Sequence, residues 1–433
     1  MRLAGRWLLA LALAGWAPAA GQSLSRFERG RGLQMLDVIE RDVRQHYFDS
    51  TFGGVDLAAA FDSARARVRA AGRVEEMLTA IAQAPLELRD SHTAFIPPGL
   101  AYRADYGFET LMVGDTCRVT RVDPASDAAV RGLAVGDAVL AIAGFRITRE
   151  TRRDLEYLLY LRPQSVLPLV VRQSGGSPRE LTVAARVVER RRLVDLRSSI
   201  DLWELIRERD RSDEEYAPRM AVLEDRVVVW RIPSFSSAGE WIDAVHKSAR
   251  RYPAMVLDLR GNGGGYVHAL LRLLGGFYAA DVQLGTVQSR RAPEPMIARG
   301  TGDAHTEAAL VVLIDEGSAS ASEVFARTIQ LTGRGRVLGD RSSGLVRTSI
   351  VYVHRVGTEM AAYYGAAVAI ADLELPDGGR LERVGVTPDE LLLPSGTDLH
   401  GGHDPVLARA LAGLGVSISA AEAGRLSWQA HLP

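Results

Sequence analysis

Twice in this chain an apolar strand runs through a turn of small residues straight into a helix, and a sequence that does so is committed to alternating strand and helix. The first passage is Ala254-Met-Val-Leu-Asp-Leu259, then Arg260-Gly-Asn-Gly-Gly-Gly265, then a helical segment from Tyr266 to Phe277. In the second, Val311-Val-Leu-Ile314 leads through Asp315-Glu-Gly-Ser-Ala-Ser320 into a helix over Ser322 to Leu331. Arg226 to Ile232 reads as a further buried strand and Ala238 to Arg251 as a further helix, so residues 189–395 are expected to form an α/β core.

The remaining segments follow different periods. Over residues 24–100, Leu33, Met35, Leu36, Val38, Ile39 and Val43 recur at helical spacing, with two more such runs before Pro97-Pro98, which predicts a small helical domain. Residues 102–188 read as strands and turns: Cys117-Arg-Val-Thr-Arg-Val-Asp123 alternates at period two, and Gly175-Gly-Ser-Pro178 separates two strand-like runs as a hairpin would. Residues 396–433 are expected to be a helical tail, with Asp404-Pro-Val-Leu407 starting a helix. The charged stretches 207–215 and 290–306 read as solvated loops. Residues 1–20 carry Arg2 and Arg6, a short apolar run and small residues near Ala19 and Ala20, the pattern of a cleaved secretory signal, so the expected product is exported, periplasmic or extracellular, without stable membrane insertion after cleavage.

Composition excludes more than it selects. The formal net charge of −1 creates no field for a polyanion, so nucleic acid is not an expected partner. One cysteine, Cys117, cannot form an intramolecular disulfide or a cysteine metal cluster, and it reads as a small buried hydrophobe. Lys247 is the sole lysine, so a mechanism needing a neutral lysine must use it or be abandoned. The chain has no H-E-x-x-H, G-x-x-x-x-G-K or G-x-S-x-G, and Tyr266 stands where a dinucleotide loop needs its last glycine. What the glycine turn can offer is amide N–H groups for a carboxylate or a developing oxyanion. The three serines Ser318, Ser320 and Ser322 sit at a helix entrance, where Ser320-Ala-Ser-Glu323 is also a capping box.

Together, Asp258-Leu-Arg-Gly-Asn-Gly-Gly-Gly265, Asp315-Glu-Gly-Ser-Ala-Ser-Ala-Ser-Glu323 and Gly333-Arg-Gly-Arg-Val-Leu-Gly-Asp-Arg-Ser-Ser-Gly344 resemble the C-terminal processing (tail-specific) and tricorn-core serine peptidases. Ile232-Pro-Ser-Phe235, Arg89-Asp-Ser-His-Thr93, Leu381-Glu-Arg-Val-Gly-Val-Thr-Pro-Asp389 and Asp404-Pro-Val-Leu407 add to the likeness. The resemblance implies a ClpP/crotonase-like β-α superhelical core, and Val122 to Ile142 likewise resembles the centre of an inserted PDZ domain, with a groove near Tyr106, Gly107 and Phe108 for a substrate C-terminus. It further implies Ser320 as nucleophile, with Ala321 and either Gly263 or Gly264 as oxyanion donors, and no metal or cofactor. Tail-specific members place a Gly-Lys pair after the serine, but here Ser343-Gly-Leu-Val-Arg347 puts Leu345 in the lysine's place. The tricorn-like branch instead uses a histidine from a Ser-His pair, which matches Ser91 and His92, with Glu382 as orienter, Asp90 in reserve, and His354 as reserve base. The implied function is an exported peptidase acting on proteins or peptides with free C-termini. A catalytically inactive homologue holding peptide or an apolar ligand, and an esterase on the same scaffold, remain alternatives.

Overall fold

A computed structural model describes residues 24–99, 102–189, 217–235, 240–357 and 362–430. The segments read as a signal and as the 207–215 loop lie outside the described residues.

The helical domain contains helices Arg26–His46, Leu57–Ala70 and Val74–Leu86. Ser25 caps the first through a reciprocal capping box with Glu28. Their apolar stripes, including Leu36, Ile39, Val43, Phe61, Val68 and Ile81, close one core together with Tyr364, Ala366 and Val368 of strand Ala362–Glu374. The helical domain is therefore built directly onto a sheet of the C-terminal half.

Strands Phe108–Val113, Thr116–Val122, Ala138–Ile142, Val166–Arg172 and Arg179–Ala184 follow one another in an antiparallel sheet, around a core of Met112, Val119, Leu167, Leu169, Val171 and Val183. Cys117 is buried there, and burial pushes its thiol up to about 11, which makes it an inert hydrophobe. Helix Arg152–Leu161 leaves this domain to reach its neighbours: Leu161 enters the core of the helical domain and the Tyr157 hydroxyl donates to the Phe95 carbonyl at 2.5 Å.

The C-terminal half has two sheets. In one, strands Val227–Arg231, Ala254–Asp258, Ala309–Ile314, Arg336–Gly339 and Glu390–Leu391 run parallel, and Arg219–Leu223 is antiparallel at one side. Helices Glu240–Arg251, Val267–Gly275 and Ala321–Leu331 cover one face, and Pro405–Gly413 covers the other. Asp258 pairs with Leu313, so the glycine turn and the serine turn leave adjacent strands at the same carboxyl-terminal edge, where α/β sheets collect their ligands. In the second sheet, Ala94–Ile96 and Thr348–Val356 flank Ala362–Glu374, which also pairs with Val282–Ser289. Ala94 pairs with Ala367, and this register brings the preceding Ser91-His92 turn onto the core.

Two sequence expectations are corrected. Stretch 290–306 is more than solvated loop: Glu294–Ala298 is a strand paired with Val282–Val287, and Arg290 donates to the Tyr47 and Arg44 carbonyls. The tail is not wholly helical, since Gln429–Ala430 adds to Arg219–Met220 as a short antiparallel strand.

Candidate active site

The structure separates the three serines. Ser318 and Ser322 are fully buried, and their hydroxyls donate to backbone carbonyls of the glycine turn, Leu259 at 2.8 Å and Asn262 at 2.9 Å. Ser320 has φ 55° and ψ −115°, an uncommon conformation for a residue with a side chain, and lines a small cavity open to solvent. Glu323 holds that turn: its carboxylate accepts the Ser320 amide at 3.0 Å, and the Glu323 amide donates to the Ser320 carbonyl oxygen at 3.0 Å. The same buried carboxylate accepts from the amides of Gly344 (2.7 Å) and Leu345 (2.8 Å) and from the Ser342 hydroxyl (2.6 Å). Burial pushes the Glu323 carboxyl up even against these donors. Sequence reading took Glu323 only as half of a helix cap.

The glycine turn lies against this serine. A side chain at Gly264 would meet Ser320 Cβ at 2.6 Å and the Ala321 nitrogen at 3.1 Å, and φ there is +96°, so only glycine fits. Asn262, fully buried, shapes the turn: its side-chain amide donates to the Ile232 carbonyl at 2.8 Å and its Oδ1 accepts the Gly264 amide at 2.8 Å. Its backbone carbonyl accepts the Ala319 amide at 2.9 Å. The Gly264 amide is thus committed, which removes it from the pair Gly263 or Gly264. The Gly263 amide has no hydrogen-bond partner among the described residues, and Ala321, as the first helical residue, has none within its helix.

Glu382 takes no bond from its neighbours Arg380 and Arg383. Those arginines turn to Asp372 and to the Arg89 carbonyl, while Glu382, 9% exposed, accepts the Ser91 amide (3.1 Å), the Ser91 hydroxyl (3.0 Å) and the Val346 amide (3.1 Å). Ser91 Oγ lies 2.6 Å from His92 Nδ1. With the serine proton directed to Glu382, the bond assigns the imidazole proton to Nδ1 and leaves Nε2 with a lone pair. Burial lowers the His92 pKa below the ordinary 6.5, against the opposing charges of Glu382 and Asp90, so the ring is neutral at neutral pH.

No hydrogen bond joins His92 to Ser320. They are the two ends of one polar network whose middle is the backbone of Gly344 to Val346: Glu323 holds Ser320, Gly344 and Leu345, and Glu382 holds Val346 and Ser91. The Leu345 side chain occupies the position where a lysine was sought, but its amide is engaged. Lys247 is exposed on helix Glu240–Arg251, and His354 pairs with Asp42 at 2.6 Å beside helix Arg26–His46. Asp90 does not orient the imidazole, since it accepts the His92 backbone amide at 2.7 Å.

The groove residues are less open than expected. The Tyr106 hydroxyl donates to the Gln164 carbonyl at 2.9 Å, and the Gly107 amide donates to Asp105 at 3.0 Å, so Gly107 offers no free N–H to a carboxylate. Phe108 packs against the core of the β-domain. The cavity beside Ser320 is lined by Val267, Leu270, Val287, Met296, Val324, Val346 and Leu373, with Asp372 among them.

A serine raised on a strand-to-helix turn, with free amides beside it and a histidine linked through Ser91 to a buried carboxylate on the same network, presents groups that serine-type hydrolysis uses. Residues 226–392 match the sequence model of Peptidase family S41. The chain is 25% identical over 378 residues to a carboxyl-terminal-processing peptidase 2, chloroplastic, of Arabidopsis thaliana, covering 81% of this chain and 67% of that protein. It is 30% identical over 137 residues to a carboxyl-terminal-processing protease of Synechocystis sp., covering 32% of this chain and 30% of that protein. The chain thus spans under a third of the length of one such relative and about two thirds of the other. Among solved structures, mature CPAF complexed with lactacystin superposes with TM-score 0.65 at 15% identity, over 86% of this chain and 95% of that one, a likeness of fold.

Proposed function

We propose that this chain is an exported serine peptidase in which Ser320 attacks a peptide carbonyl, His92 accepts its proton and returns it to the leaving amine, and Ala321 and Gly263 donate to the oxyanion. The observation that carries this reading is the singling out of Ser320: its neighbours Ser318 and Ser322 are tied to backbone carbonyls, while Ser320 faces the cavity beside two available amides. The relay Glu382–Ser91–His92 supports the choice of base, because an imidazolium formed at His92 is stabilised through Ser91 by a carboxylate. Attack requires His92 Nε2 to close on Ser320, a movement of the Ser91-His92 turn relative to the helix entrance. Protein or peptide chains are the substrates, with an apolar side chain entering the cavity, and recognition of their free C-termini is assigned to the β-domain. Export rests on residues 1–20.

The missing His92–Ser320 bond and the apolar cavity favour a second reading, a non-catalytic binder of peptides or apolar ligands. A fluorophosphonate probe separates them. Labelling of the parent that disappears in Ser320→Ala, with unchanged folding, supports the enzyme, and absence of labelling in the parent supports the binder.

A further inference from the structure

Arg347 sits two residues beyond Leu345 and reaches across the boundary between the two halves of the site. Its guanidinium donates to the Asp90 carboxylate and, at 3.1 Å, to the Tyr47 hydroxyl, and it lies over the Phe48 ring at 4.7 Å. The Asp90 side chain is fully buried and uses both oxygens: one takes Arg347 and the Tyr47 hydroxyl (3.0 Å), and the other takes the backbone amide of His92 (2.7 Å). On its opposite side, Arg347 Nε approaches Asp372, a wall of the cavity beside Ser320, at 3.5 Å. One cation therefore spans from the substrate cavity to the turn that carries the histidine.

We propose that Arg347 is the positioning residue for His92, fixing the height of the Ser91-His92 turn above Ser320 through Asp90. The inference rests on His92 being the general base. Two ties run from one short segment of backbone to that turn: the Val346 amide reaches the ring side through Glu382 and Ser91, and the Arg347 side chain reaches the backbone side through Asp90. The first sets the tautomer and ring direction, and the second sets where the ring stands. A planar, permanently charged fork suits the second task, since it can hold a carboxylate, a phenol and an aromatic face at once, which an ammonium does not. Because the same guanidinium touches the cavity wall, a substrate side chain pressing on Asp372 acts on the element that holds the base.

The experiment uses the full chain with Arg347→Met, Arg347→Lys, Asp90→Asn and the double variant Asp90→Asn/Arg347→Met, with His92→Ala as control, active sites being counted by fluorophosphonate labelling. Displacing the base by about 1 Å costs on the order of 10²-fold in kcat, so Arg347→Met should lose about that much with KM nearly unchanged. Asp90→Asn should lose a similar factor, and the double variant should be no worse than the worse single, because both act along one path. If Arg347→Met does not fold, the double variant, which leaves no unpaired buried carboxylate, is compared with Asp90→Asn alone and should equal it. The charged groups facing His92 are Glu382, Asp90, Arg153 and Arg347. Loss of the Arg347 charge should move the acid limb of kcat/KM to higher pH, whereas Arg347→Lys, which keeps the charge, should lower kcat and leave the limb in place. Unchanged kcat per labelled site in Arg347→Met, or losses that multiply in the double variant, would overturn the assignment while leaving the base intact. Unchanged turnover in His92→Ala would instead remove the base itself.

Discussion

Asn262 offers a sharp test of the packed turn beneath the proposed oxyanion site, because its side chain makes one bond as donor and one as acceptor, both buried. Asn262→Asp keeps the shape. Oδ1 still accepts the Gly264 amide, but the atom facing the Ile232 carbonyl must now carry a proton to bond with it. Asn262 is fully buried, and the buried carboxyl of Asp258 and the half-buried one of Asp315 stand on either side of the same turn, so ionisation of the new carboxyl is disfavoured. Burial of this kind raises a carboxyl by about 3–5 units from its ordinary ~3.9, at 1.36 kcal/mol per unit. The sign follows: a folded-state pKa above the unfolded one means the cost is absent below about pH 4 and grows as pH rises towards the folded value. At pH 5 the variant should be about 1.5 kcal/mol less stable than the parent, and at pH 8 about 4–6 kcal/mol, a large share of a typical total of about 5–15 kcal/mol. Asn262→Ala leaves two buried backbone groups unpaired at about 1–3 kcal/mol each, a cost of about 2–6 kcal/mol with little pH dependence. Urea unfolding of parent and variants at both pH values reads these differences as midpoint shifts. An Asn262→Asp deficit equal at pH 5 and pH 8 would refute the two-bond placement.

Further outcomes follow from the same geometry. Since burial lowers the His92 pKa, the acid limb of kcat/KM should fall below pH 6.5, and a limb above 6.5 in a pH–rate profile would contradict a buried neutral base. Glu382→Gln places an NH₂ group against donors at Ser91 or Val346 and removes the charge behind the relay, so kcat should drop by about 10²-fold or more with KM changed little, and an unchanged kcat would take Glu382 out of the mechanism. A peptide ending in a free apolar residue should be turned over better than its amide, and Asp105→Ala, which releases the Gly107 amide, should widen the difference. Equal turnover of acid and amide in both backgrounds would remove C-terminus recognition from the β-domain.

Those parts of the fold governed by local pattern were legible. Helices Arg26–His46 and Ala321–Leu331 follow from apolar periodicity and caps, and the glycine and serine turns from small residues between strand and helix. Strand Glu294–Ala298 was hidden because Glu294 and Pro295 interrupt alternation, and its place is set by pairing with Val282–Val287. At the site, the family resemblance singled out Ser320, His92 and Glu382 as candidates, but contacts over long sequence separations were invisible: Ser91 to Glu382, Asp90 to Arg347, and Val346 to Glu382. The Gly264 amide could not be excluded from sequence, because that depends on where the Asn262 side chain turns. Nor could pattern reveal that the Gly107 amide is engaged by its neighbour Asp105.

The central claim is that this site works by serine and histidine without lysine, and turnover in two variants measured side by side tests it most directly. His92→Ala should lower kcat by orders of magnitude with folding intact, because the two carboxylates on the same network are already taken, Glu323 by the Ser320, Gly344 and Leu345 amides and Glu382 by Ser91 and Val346. Lys247→Met, at an exposed helix position, should leave kcat nearly unchanged. Full turnover in His92→Ala together with its loss in Lys247→Met would contradict the claim and return the site to a serine/lysine mechanism.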